Sequence, residues 1–287
     1  MQPNQRHDRG HLGGRELPGG VWLRQSRAFA IRYARELFRS KAVLFWTIAF
    51  PVGFYLLTIT VTIPAEAMGG NEGAVKASVA ISYGMFGAIV AALNSFCEQL
   101  GSDLAADRYQ QFRSLSVAPT ADLAGRLSAG LSLVFAAFLA VFPVALLTGA
   151  TFSIASAATP VVVALALVTF GSFWMVVAIG VSVTVRNERY ASIITVSLAL
   201  IAYMLTGFNG TDTTTYHGPD WLLNVLPHTL ATRLISAQLV ADSGGMTPPA
   251  VPGTAVGLGL LAVTAIAALA VGTGVVRRVL YNQTVVR

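Results

Sequence analysis

Charged side chains are scarce, making up 11% of the 287 residues where a soluble domain carries about 25%. With 54% hydrophobic residues, the composition calls for a lipid environment. Cysteine is nearly missing: Cys97 stands alone, which excludes an intramolecular disulfide and a thiolate metal cluster. It reads as a small apolar residue near a helix end. Lysine occurs only at Lys41 and Lys76, and neither ends a G-x-x-x-x-G-K-[ST] phosphate loop, so the chain alone is not expected to hydrolyse ATP. Histidine is restricted to His7, His11, His217 and His228, all in tails or one loop. No span therefore supplies a membrane-embedded base, and no acidic or cysteine partner completes a metal site. The formal charge of +6 is divided among short segments and forms no basic stripe with interleaved aromatics, which argues against nucleic acid.

What remains is apolar sequence in long runs. A hydrocarbon core of about 30 Å needs about 20 apolar residues per helix. Six segments qualify without a central charge: Val43–Ile63, Ala77–Cys97, Leu127–Ala150, Pro160–Val185, Ala191–Phe208 and Thr254–Val276. Pro51 and Pro143 fall inside spans, where neighbouring helices can recover a freed carbonyl. Of the Lys and Arg residues, 17 flank the spans on the side of the N-terminus and 2 on the other. The positive-inside bias then places both termini in the cytoplasm, and the location expected is the plasma membrane. Ala65-Glu66-Ala67 has the form of a signal-peptide cleavage site, but the polar stretch and apolar run before it are too long for one. Spans free of Asp, Glu and His lack the usual means of ion coupling. Any uphill transport would draw its energy from another subunit.

Outside the spans, residues 1–20 read as a disordered tail and 21–42 as a basic amphipathic helix. At about 100° per residue, Trp22, Leu23, Phe29, Ala30, Tyr33 and Leu37 fall on one side. Arg24, Arg27, Arg32, Arg35 and Arg39 fall on the other. Such a helix is expected in the headgroup layer, with its aromatics in the acyl boundary and its arginines near lipid phosphates. The loop 98–126 carries both signs, in Glu98, Asp103, Asp107, Arg108, Arg113 and Asp122. A short surface helix within it would present Leu104, Tyr109, Phe112 and Leu115, with Pro119 closing it. Segment 209–253 divides at Pro219 into a polar loop and short helices, broken at Pro227, that can re-enter the outer leaflet. Asn209-Gly210-Thr211 has the form of a glycosylation sequon. Residues 43–276 thus form the membrane domain and 277–287 a cytoplasmic tail.

The succession of amphipathic helix, six spans, loop between the second and third, and helical hairpin before the last resembles the membrane subunits of type-2 ABC exporters. These include drug, antibiotic and polysaccharide export permeases. Within Asp107-Arg108-Tyr109-Gln110-Gln111-Phe112-Arg113-Ser114-Leu115-Ser116-Val117-Ala118-Pro119, the residues Phe112, Leu115 and Pro119, with Gly125-Arg126 beyond, match the family's coupling-loop frame. Gln110-Gln111 stand where the family carries Gly-Thr. Pro219-Asp220-Trp221-Leu222 and Leu226-Pro227 are similar to its pattern before the last span.

The resemblance implies an all-α integral membrane protein: six transmembrane helices, an interfacial helix and re-entrant outward helices. It also implies two permease copies, identical or paralogous, on a cytoplasmic ABC ATPase. This chain would hold no cofactor; ATP and Mg would sit on the ATPase. Asp107, Arg108, Phe112, Arg113 and Leu115 would contact that partner. A substrate path between the second and fifth spans would run past Tyr83, Met85, Phe86, Asn94, Tyr203, Met204 and Phe208, for an amphipathic or hydrophobic solute such as a drug, antibiotic or lipid. A secondary transporter or channel without an ATPase is the rival. A lipid transferase would need a His, Asp or Arg cluster at the outward face, which the sequence lacks, and a scaffold or sensor is separated only by activity.

Overall fold

The computed structural model describes residues 19–63, 71–106, 108–114, 117–185, 188–212, 215–240 and 251–281. All secondary structure among them is helical. The 21-residue helix α1 covers Gly19–Arg39 and ends at Ser40. The Ser40 hydroxyl accepts from the Val43 amide at 3.4 Å and so caps the next helix, α2, over Lys41–Thr62. Two π-helical turns interrupt α2, at Phe45–Ala49 and Thr58–Thr62. Pro51 cannot donate to the Thr47 carbonyl four residues back. That carbonyl lies against Gly87, where an added Cβ would come within 2.7 Å of it, so Gly87 is what lets the two helices cross there.

The 34-residue helix α3, Glu72–Ala105, is about 51 Å long at 1.5 Å per residue and forms the axis of the bundle. Its most apolar stretch is buried in full. The helices α5 (Pro119–Leu147), α6 (Thr159–Thr184) and α7 (Glu188–Leu205) pack round it. Between α3 and α5 lies the short helix α4, Arg108–Ser114. After α7 come α8 (Asp220–Leu223), α9 (Pro227–Leu239) and α10 (Thr254–Val275), the last running on into a π turn, Val276–Tyr281. Prolines in the first turn open α5, α6 and α9, at the first helical position in α5 and α9 and the second in α6, where the missing N–H would have had no partner in any case.

Among the described residues, five helices are long and apolar enough to cross a membrane: α2, α3, α5, α6 and α10. The fifth expected span, Ala191–Phe208, forms only a shorter apolar helix, Tyr190–Leu205, because the chain leaves right-handed geometry at Gly207. Gly207, Phe208, Asn209 and Gly210 have φ of 65°, 52°, 61° and 76°, one turn of left-handed helix. Each non-glycine residue in such a turn costs about 1–2 kcal/mol. At Gly207 the Asp212 carbonyl would stand 2.1 Å from a Cβ, so no other residue fits.

Three further expectations are corrected. Pro119 opens a helix and does not close one, and Glu98 to Ala105 belong to α3, so the loop expected over 98–126 shrinks to α4 and its flanks. Lys76 pairs with Glu72 at 2.5 Å and donates to the Thr148 carbonyl at the end of α5 at 2.9 Å, a cation at a helix C-terminus. The Asn209 side chain is fully buried, so its sequon is closed to modification in this fold. Helix α9 is enclosed by α6, α10 and α3, and its C-terminal carbonyls at Leu239 and Gln238 accept from Ser153 and Ala155 at 2.8 and 3.1 Å.

Candidate functional site

The densest polar construction lies where α1, the last turn of α3, α4 and the first turns of α5 meet. Tyr33 of α1 is fully buried there. Its hydroxyl stands 3.0 Å from Asp103 Oδ2 and 2.9 Å from Asp122 Oδ1, and accepts from Arg126 Nη2 at 2.6 Å. A phenol has one proton, so it donates to one carboxylate at a time. Burial above all, together with the neighbouring carboxylates, pushes the Tyr33 hydroxyl far above its ordinary value against the pull of Arg126. The proton stays on.

Arg126 spans both acids: its Nε donates to Asp122 at 3.1 Å and its Nη2 pairs with Asp103. The side chains of Asp103, Asp122 and Arg126 are each no more than 2% exposed. Arg32 of α1 and Arg108 of α4 reach the same Asp103 oxygen from the rim, at 3.0 and 2.6 Å, and Arg32 also pairs with Glu36 at 3.1 Å. Three guanidinium groups and three carboxylates are thus joined. The Arg126 guanidinium lies 4.2 Å from the centroid of the Tyr33 ring, within cation–π range.

Closeness of the helices makes this possible. At Gly125 an added Cβ would lie 2.4 Å from Phe29 Cβ and 2.9 Å from the Ala30 nitrogen, so α1 and α5 touch backbone to backbone. Below that contact Trp22 Nε1 donates to Thr120 at 3.0 Å, and Gln25 accepts from the Ala118 amide at 3.3 Å. Above it Gln99 donates to the Tyr33 carbonyl at 3.1 Å, and Ser40 donates to Glu98 at 3.3 Å. Helix α4 is tied in by the Arg108–Asp103 pair and by the Phe112 ring, edge-on to Phe29 at 5.4 Å between centroids.

The apolar side of α1 therefore faces protein. Phe29 and Tyr33 pack on α5 and α4, Trp22 is spent on a hydrogen bond to α5, and Leu23, placed on that side by the helical wheel, is 64% exposed. Arg24, Arg27, Arg35 and Arg39 are exposed, whereas Arg32 turns inward to Asp103. Of the residues expected to meet a partner, Arg108 and Phe112 sit in the junction; Asp107, Leu115 and the side chain of Arg113 lie outside the described residues. Sequence reasoning missed Asp103, Asp122, Arg126 and Tyr33 as one unit. The signal was there in the i, i+4 spacing of Asp122 and Arg126 after a proline suited to the first helical turn.

At the opposite end of the bundle, Tyr83, Tyr203 and Phe208 come together beside a cavity of about 260 Å³ between α2, α3 and α7. The Phe86 ring packs tilted against Tyr203, at 4.8 Å between centroids. Met85 is wholly buried in the core and Asn94 accepts from Thr195 at 3.3 Å, both away from the cavity lining, while Met204 points outward at 52% exposure. Among the described residues no group of three His, Cys, Asp or Glu side chains could hold a metal ion.

Fold and junction together define an all-helical, multi-pass membrane protein. No family model and no curated protein matches the chain.

Proposed function

We propose that the chain is the permease subunit of an ATP-driven exporter of the type-2 ABC kind, with α4 as the surface that a cytoplasmic ATPase pushes. The observation that supports this most is the tie between α4 and three longer helices. Phe112 leans on α1 and Arg108 on Asp103, while Asp103, Asp122, Arg126 and Tyr33 lock α1 to the ends of α3 and α5. Displacement of α4 is then passed to α1, α3 and α5 as one body. Coupling of this sort needs a differential preference of the ATPase for one arrangement, about 5.5 kcal/mol to invert a 1:99 population.

In this reading α7 is the fifth of six spans, α8 and α9 re-enter from the outward face, both termini are cytoplasmic and the plasma membrane is the host. Two permease copies stand on two ATPase subunits that hold ATP and Mg. The solute is amphipathic or hydrophobic.

An affinity-tagged chain solubilised from its native membranes should bring down a phosphate-loop ATPase. Phe112→Asp, and separately Arg113→Glu, should abolish that copurification and ATP-driven export while membrane insertion stays at the parental level. Unchanged copurification by both variants, or labelling of residue 112 from outside intact cells, refutes the reading.

A further inference from the structure

The cavity at the far end of the bundle has a polarity of its own. Tyr83, Tyr203, Phe54 and Phe208 line it together with the aliphatic Leu57, Ile63 and Val79, and Tyr203 packs 5.8 Å from Tyr83 and 5.4 Å from Phe208 between ring centroids. Besides Asp212, its polar side chains are hydroxyls, six in number, and four of their protons are already committed. Ser82 Oγ donates to the Phe208 carbonyl at 2.7 Å, and Thr211 Oγ1 donates to the same carbonyl at 2.8 Å. With its own proton given away, Ser82 can only accept from the Tyr203 hydroxyl, 3.1 Å distant. Thr58 and Tyr83 share a hydrogen bond of 2.7 Å, which uses one of their two protons.

The left-handed turn at Gly207–Gly210 is what sets the Phe208 carbonyl where two hydroxyls can reach it. Most hydroxyl protons of this lining thus point into the protein, leaving chiefly oxygen lone pairs and aromatic rings for a guest. Asp212 is the one charged residue among the described residues of the lining. Lys and Arg are absent from the described residues of that lining. An anion would find two hydroxyl protons, that of Thr62 and one of the Thr58–Tyr83 pair, whereas a cation would find ring quadrupoles, lone pairs and a carboxylate.

We propose that this cavity binds a hydrophobic organic cation, an aromatic or alkyl-substituted ammonium, with Tyr83 and Tyr203 against its apolar surface and Asp212 as its counter-charge. The proposal rests on the exporter reading only in naming the class of solute carried. The cavity volume of about 260 Å³ lies just below the range of about 300–1,000 Å³ for small-molecule sites, which restricts the guest to a small one.

The test is equilibrium dialysis of radiolabelled benzyltriethylammonium against the purified full chain in lipid nanodiscs, with no ATPase present. Saturable binding is expected, weakened about tenfold by Asp212→Asn through loss of a nearby charge and restored by Asp212→Glu. Tyr203→Leu should weaken it by about three- to thirtyfold through loss of a ring face, with Tyr203→Phe close to the parent. Each variant is first checked for parental elution on size exclusion. Equal affinity for the anion benzenesulfonate, an unchanged Asp212→Asn, or no saturable binding by the parent overturns the proposal. Because the ATPase is absent, a failure here leaves the α4 experiment standing, and loss of ATP-driven export in that experiment says nothing against cation binding in this one.

Discussion

Asp103→Asn is the sharpest perturbation of the junction. It keeps the shape of the side chain and removes the charge that Arg126, Arg32 and Arg108 share. Two of these arginines are about one-third exposed, at 31% and 34%, so water replaces most of what they lose and each pair is worth about 0–1 kcal/mol. Arg126 is 2% exposed and has no such recourse. With Asp103 neutral, a buried guanidinium keeps one carboxylate where it had two, and breaking a buried pair in this way costs about 3–5 kcal/mol. For a chain of this size that corresponds to a fall in melting temperature on the order of 10 °C. Arg126→Met should cost a similar amount by leaving two carboxylates buried side by side. The double variant should cost less than the two singles together, by about 0.5–3 kcal/mol. Thermal unfolding of the detergent-solubilised protein, with elution volume as the readout, measures all three. A melting temperature for Asp103→Asn within about 2 °C of the parent, or strict additivity in the double variant, refutes the argument that this network holds α1 in place.

Two other outcomes follow from the geometry. Gly125→Ala sets a methyl against Phe29 Cβ and the α1 backbone, atoms that cannot swing aside, so it should cost about 1–3 kcal/mol and raise amide exchange in α1 selectively; unchanged exchange there would contradict the packing. His228 lies between the Trp174 ring and the Thr206 hydroxyl, and burial, partly offset by a hydrogen bond to the Ala202 backbone, lowers it to about 4. A depressed histidine is neutral when folded and takes up a proton on unfolding, so its contribution is intact above about pH 6.5 and fades as pH falls toward 4. The parent should lose up to about 3 kcal/mol more than His228→Leu between pH 7 and 4; parallel melting curves would show that the ring is reached by solvent.

Long apolar runs made the bundle legible, since spans are written in contiguous sequence. α1 was half legible: periodicity found its face, but not that α5 and α3 cover it, because a lipid boundary and a protein surface select the same apolar residues. The junction was the least legible. Asp103, Asp122 and Arg126 look like a solvated loop when scanned for charge, and become a buried cluster only once α3 is extended to Ala105 and α5 started at Pro119. Helix ends with mixed charge are ambiguous in one dimension, since solvation and mutual neutralisation have the same composition. Phe208 was placed at the end of a span, yet the glycines at 207 and 210 on either side of an Asn were the local sign of a left-handed turn.

The junction closes on itself electrically: Arg32, Arg108 and Arg126 are answered by Glu36, Asp103 and Asp122. What still projects from this end is the exposed side of α1, where Arg24, Arg27, Arg35 and Arg39 remain uncovered. A negatively charged neighbour approaching α1 would meet a narrow strip of arginines one helix face wide, not a diffuse positive cap.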